Sequence, residues 1–191
     1  MTLTSSIAAS LLLSTNLLLA NASPRELLGR CAHLNVASVA EPAQSSRTLQ
    51  LDELGIEIEI PENFRAMKRS ADAVLVLPPE DYDYLSCMME NRVPTAPSVL
   101  DVLIYQTEPA SEALIRSQAG GRFGTRFIRE EVVAGQPAFI YTAGGMTNDF
   151  VVRINYPDQQ ASLIVSAEIK GNNQVPMQET MTRILSSLQF Q

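Results

Sequence analysis

The sequence predicts an α+β fold, an antiparallel β-sheet closed by a C-terminal helix, and three observations predict it. Apolar and polar residues alternate in several short runs. In the second half those runs are separated by short gaps rich in Gly, Pro, Asn and Asp, and the last segment carries an apolar stripe at helical spacing. Short gaps are decisive because antiparallel neighbours can be joined by a tight turn, whereas parallel strands need a crossover of about a dozen residues or more. The chain has 191 residues, which argues for one domain. Its 46% hydrophobic content excludes disorder throughout, since a disordered chain lacks the apolar residues to offset its ordering entropy.

The first element is a leader. Residues 1–24 contain no Asp, Glu, Lys or Arg, and Ile7–Leu13 with Leu17–Ala20 form an interrupted apolar core. Ala20-Asn21-Ala22 then places small residues at the two positions that a signal peptidase pocket accommodates, before Ser23-Pro24. This is the order of a secretory signal over residues 1–22, although Met1–Ser6 lacks the usual Lys or Arg. An uncleaved membrane anchor and a buried helix are the competing readings, and Ser14-Thr15-Asn16 makes the stretch a poor span. The expectation is an exported protein with no transmembrane anchor after cleavage. A lipid-modified Cys31 does not fit, because Arg30 stands where a small residue is required. Cys31 and Cys87 both survive cleavage at Ala22, and an oxidising compartment lets such a pair close a disulfide. The alternative is a buried free thiol at Cys87 and a Cys31 in a mobile arm.

Residues 23–50 read as a flexible arm or linker, with Pro24, Pro42 and Ser45-Ser46 and no sustained period, and the folded domain is expected over residues 51–191. A short helix around Arg25–Leu34 is an option within the arm. Ile56, Ile58 and Ile60 alternate with Glu57 and Glu59, a strand with one apolar and one charged face, ended by Pro61. Ala73–Leu77 is a continuous apolar run closed by Pro78-Pro79, which fits a strand buried on both faces. Val99–Tyr105 is another strand, and Ser111–Gln118 a brief helix capped by Ser111 or Thr107. A four-strand meander follows over Arg126–Val133, Ala138–Ala143, Asp149–Tyr156 and Ala161–Lys170. The closing helix spans about Pro176–Leu188, with Met177, Met181, Ile184, Leu185 and Leu188 on one stripe, and covers one face of the sheet.

Gly55-Ile56-Glu57-Ile58-Glu59-Ile60-Pro61-Glu62-Asn63-Phe64, Ala134-Gly135-Gln136-Pro137-Ala138 and Arg183-Ile184-Leu185-Ser186-Ser187-Leu188-Gln189-Phe190, in this order and spacing, resemble the PsbP-like superfamily. The resemblance covers about residues 51–190. It implies an α/β/α sandwich around an antiparallel sheet and usually no catalysis. It also implies service as an extrinsic subunit or assembly factor of photosystem II in the thylakoid lumen, or as an exported protein. The expected location is the periplasm or the thylakoid lumen, with secretion as the alternative. The chain departs from the pattern in having Phe64 where Trp is common and no Trp at all, so no family metal ligand or docking residue falls on a matching position.

The chemistry-bearing residues are sparse. With 14 Lys+Arg against 21 Asp+Glu the net charge is −7, and a phosphate backbone is repelled, so nucleic acid is an unsuitable partner. Ser- or Cys-based hydrolysis needs an imidazole beside the nucleophile, and the only His, His33, lies in the arm. Zinc needs three or four clustered Cys or His ligands, and the chain has 2 Cys and 1 His in total. Glu80, Asp81 and Asp83 offer weak oxygen ligation to Ca²⁺ or Mn²⁺, against the competing reading of a solvated acidic turn. The glycine-rich segment Ala119–Arg126, which carries Arg122 and Arg126 and has Arg116 and Arg129 nearby, is the surface assigned to an anion or an acidic partner, against the reading of a plain helix-to-strand loop. Met88-Met89 beside Cys87 reads as core packing rather than soft-metal ligation. The sequence therefore predicts a non-enzymatic accessory domain, without a cofactor, docking on a protein complex or membrane-associated partner. A small anion- or cation-binding exported protein is the alternative.

Overall fold

The computed structural model describes residues 31, 34, 40–93, 101–111, 113–114, 126–144, 148–168 and 174–191. Its elements are β1 (Ser46–Leu51), a 3-10 turn (Asp52–Leu54), β2 (Ile56–Pro61), β3 (Arg65–Ser70), β4 (Ala73–Leu77), α1 (Pro79–Glu90) and β5 (Val102–Thr107). They continue with β6 (Arg126–Val133), β7 (Gln136–Gly144), β8 (Asn148–Asn155), β9 (Ser162–Glu168), α2 (Gln174–Ser187) and β10 (Gln189–Phe190). The fold is α+β, as the sequence predicts, but with two antiparallel sheets rather than one. A three-stranded sheet runs β1-β2-β10, and a seven-stranded sheet runs β3-β4-β5-β9-β8-β7-β6.

The Ile alternation of β2 has the expected result: Ile56, Ile58 and Ile60 are all fully buried. At about 1.5–3 kcal/mol per buried aliphatic side chain, these three anchor the small sheet to the core. They meet Val74 and Val76 of β4, Ile104 of β5, Val152 and Ile154 of β8, and Leu163 and Val165 of β9, all in one apolar cluster. The predicted stripe of α2 joins that cluster through Met177, Met181, Ile184 and Leu188. One face of the large sheet, the inner face, is thus packed under α2 and the small sheet. Tyr156 ties the layers together: its hydroxyl donates to the Leu54 carbonyl at 2.7 Å, and its ring lies 5.0 Å from that of Phe190 at 60°.

The outer face carries α1. Leu85 of α1 packs on Leu75 and Leu77 of β4, beside Met67, Tyr82 and Leu103. All five residues of β4 are buried, as a strand covered on both faces requires.

Three expectations are corrected. Ser46–Gln50, read as the end of a flexible linker, is most of β1, paired along its whole length with β2. Its burial only alternates between exposed and intermediate, so its apolar signal is faint. The chain just before it is tied down as well. Asn63 donates to the Glu41 carbonyl at 2.9 Å and accepts from the Ala43 amide at 2.8 Å, while Arg183 donates to the Ala43 carbonyl at 2.7 Å. Arg65–Ser70, not expected as a strand, is β3 at the edge of the large sheet. The acidic segment after Pro78 is helical rather than a turn. Met88 and Met89 therefore project from a helix, not an extended chain, and only Met88 is buried.

The predicted meander is present, with its strands at Arg126–Val133, Gln136–Gly144, Asn148–Asn155 and Ser162–Glu168. The Ser111 cap is supported by the Leu114 amide donating to the Ser111 hydroxyl at 3.3 Å. Among the described residues no helix is long and apolar enough to cross a membrane.

Candidate functional site

The sheet pairings leave a groove where α2 runs past the β6–β7–β8 end of the large sheet, on its inner face. The small sheet packs beneath α2 through β2, so the β6 end of that face stands at the margin of the covered area. The resulting cavity measures about 650 Å³. Its floor is apolar, formed by Ile140, Phe150 and Val152 on successive strands β7 and β8, and its helix wall by Met181 and Leu185. Gln178, Thr182 and Ser186 form a polar lip, each four residues after the last, so they line one side of α2. Arg129, Glu131 and Val132 of β6 complete the rim. Val132 is 75% exposed, the largest exposure among the large exposed hydrophobic residues of the described chain.

Of the four arginines assigned to partner binding, Arg129 reaches this rim and Arg126 does not. A register irregularity between Phe127 and Arg129 separates the two along β6. Arg116 and Arg122 lie outside the described residues. The Arg129 guanidinium pairs with the Glu131 carboxylate, and both side chains are about half exposed. An ion pair so hydrated is worth about 0–1 kcal/mol, so it sets the charge pattern of the rim more than the stability of β6.

Glu80, Asp81 and Asp83 sit at the start of α1, where Pro78 is the N-cap and Pro79 the first helical residue. Carboxylates there suit the positive end of the helix dipole. On a helix Glu80 and Asp83 share a side and Asp81 is turned away from both, so the three do not converge. Among the described residues no group of three or more His, Cys, Asp or Glu side chains is arranged to hold a metal ion.

Cys31 and Cys87 are joined, with the sulfurs 2.01 Å apart and the Cα atoms 5.9 Å apart. The bond fixes Cys31 on α1, in a small cluster with Tyr84 and Met88 and with Leu34 and Val93 beside it. Asn91 closes the end of α1 by donating to the Cys87 carbonyl at 2.8 Å. Both cysteines are thereby used in structure, and His33 lies outside the described residues. Among the described residues that line the groove, the titratable side chains are Arg129 and Glu131, which pair with each other. Sequence reasoning placed Arg129 but missed the groove, because its floor and wall come from α2 and strands far apart in the chain.

No protein-family model and no curated protein matches the chain. Several solved structures are similar to it. The Ran-binding protein Mog1p of Saccharomyces cerevisiae aligns with a TM-score of 0.47 and 7% identity, over 76% of this chain and 95% of that one. A mutant of Mog1 aligns with a TM-score of 0.47 and 8% identity, over 77% of this chain and 96% of that one. The cyanobacterial PsbP (CyanoP) of Synechocystis sp. PCC 6803 aligns with a TM-score of 0.42 and 10% identity, over 82% of this chain and 98% of that one. The last gives the PsbP-like resemblance a distant structural neighbour; at such TM-scores the likenesses carry no argument for what this chain binds.

Proposed function

We propose that the chain is a non-catalytic binding domain whose groove between α2 and β6–β8 receives an apolar-faced segment of a protein partner. The observation that carries this reading is the groove itself, an open apolar floor beside an exposed Val132. Its shape favours a chain segment. Gln178, Thr182 and Ser186 repeat along about 12 Å of helix, a row of hydrogen-bonding groups matched to a segment lying parallel to α2. Arg129 and Glu131 present both signs of charge at the rim, suited to a partner segment that carries both.

The finer reading is an exported accessory protein of the PsbP-like kind, docked on a complex at a membrane. The uncharged leader supports export, and the Cys31–Cys87 bond supports an oxidising compartment.

A photo-crosslinking residue placed at Val132 of the full chain, in extract of the source cells, tests the docking. The expected result is one dominant adduct to a defined protein, absent when the probe is placed at Met89, which is 61% exposed on α1. Val132→Asp should weaken binding of that purified partner at least tenfold, about 1.4 kcal/mol, without unfolding the domain. Equal labelling from both positions, or no adduct at Val132, would count against the proposal.

A further inference from the structure

A separate cavity, of about 550 Å³, lies on the outer face of the large sheet, away from the groove. Strand register builds its floor. Leu103 of β5 stands opposite Ser166 of β9, Ser166 opposite Val151 of β8, and Val151 opposite Tyr141 of β7. Tyr105 follows on the same face of β5, two residues after Leu103. These side chains point outward because their neighbours Ile104, Ile140, Val152 and Val165 belong to the inner core. α1 rests on β3 and β4 to one side, and Ala110 packs against Phe139 and Tyr141 at the other. Leu103, Tyr105, Tyr141 and Ser166 stay partly exposed and line the cavity.

The lining is amphipathic. Ser166 is the smallest side chain of its row, so the floor dips there, flanked by the phenols of Tyr105 and Tyr141. The two phenols are near enough to act on each other. Burial pushes the Tyr141 hydroxyl up, Arg153 beside it holds it down, and Tyr105 pushes it up again. With a guanidinium next to its oxygen, Tyr141 keeps its own O–H to donate elsewhere. Leu103 and Val151 supply apolar surface at the bottom. The rim carries both signs of charge, Arg69 and Asp72 by the β3–β4 turn and Asp149 across the sheet on β8.

This mixture selects against most classes of ligand. An anion would meet the carboxylates of Asp72 and Asp149 in a protein of net charge −7. An organic cation would meet Arg69 on the rim and Arg153 behind Tyr141. A wholly apolar ligand would leave the phenol and serine hydroxyls without partners. Among the described residues no group of three or more His, Cys, Asp or Glu stands ready for a metal ion. A neutral ring with hydroxyls on its edge and one apolar face meets every demand, because each sugar hydroxyl both donates and accepts. We propose that the cavity binds a neutral saccharide, one pyranose seated at Ser166 between Tyr105 and Tyr141. Its hydroxyls are held by these three side chains and, from the rim, by Asp149 and Arg69, while its apolar face rests on Leu103 and Val151.

Isotope labelling of the tyrosine rings in the full oxidised chain tests the site by NMR, since 5 tyrosines give a small set of signals. The probes are D-glucose, D-galactose, D-mannose and N-acetyl-D-glucosamine, each up to about 50 mM. At least one should shift the Tyr105 and Tyr141 signals to saturation and leave Tyr82, Tyr84 and Tyr156 unmoved. Tyr105→Phe and Tyr141→Phe assign the two signals by deleting them. Each should weaken binding of that sugar about fivefold, by removing one hydroxyl. Ser166→Leu fills the floor and should abolish binding; where it fails to fold, the two Phe variants, which keep both rings, decide. The proposal is overturned if no sugar moves the two signals, if all the tyrosines move together, or if both Phe variants bind as tightly as the parent chain. It is equally overturned if inorganic phosphate or choline moves the two signals and the sugars do not.

Discussion

At the scale of single residues, the β6–β7 turn shows where the chain works against local preference. Val133 pairs with Gln136, so the loop is the two residues Ala134 and Gly135, with φ of 50° and 75°. Both central residues of such a turn need positive φ, which Gly adopts freely and Ala does not. Ala134→Gly is predicted to stabilise the protein by about 1 kcal/mol, and Gly135→Ala to destabilise it by a similar amount, in urea denaturation. The gap expected from the sequence, Ala134–Pro137, is two residues too long, since Gln136 and Pro137 already pair with β6. Pro137 is tolerated in β7 because the ladder to β8 begins only at Ala138, so its missing N–H removes no bond there. Other neighbours were invisible for a different reason: Asp149 of β8 and Glu168 of β9 stand opposite each other, and only the register brings them level.

At the scale of elements, legibility followed the strength of the apolar pattern. β2, β4 and α2 carry dense, regular apolar positions, and their structure matches the expectation. β3 reads Arg-Ala-Met-Lys-Arg-Ser, with no fully buried residue, so no alternation marks it. Its charged side chains suit an edge strand, where they discourage pairing with other chains. α1 was hidden by Pro78-Pro79, which stops a strand and starts a helix equally well. Its buried face is only Tyr84, Leu85 and Met88. Such a helix leans on its staple. The disulfide spans a sequence separation of 56, and chain-entropy reasoning gives such a bridge about 2–4 kcal/mol. The double variant Cys31→Ser, Cys87→Ser is predicted to lose that much stability in denaturant titration. Protease cleavage should then concentrate near α1 rather than α2.

At the scale of the whole molecule, the small sheet is β1 paired along β2, and the last strand closes its other edge. Gln189 and Phe190 pair with Glu57 and Ile56, and the Gln191 amide donates to the Gly55 carbonyl at 2.9 Å. β1 was read as linker for its faint apolar signal, and no local pattern announces a two-residue strand, so one sheet was expected where there are two. Closure draws α2 over β2, and the groove opens beside it along β6–β8. Of the arginines chosen from sequence, Arg129 stands on the groove's rim, while the groove is lined by α2 together with β6, β7 and β8. Exchange mass spectrometry of the full chain, with and without the partner crosslinked through Val132, tests that surface most directly. Protection confined to 178–186 of α2 and to β6–β7 is the predicted result. Protection on α1 and the outer face instead, with the groove unchanged, would contradict it.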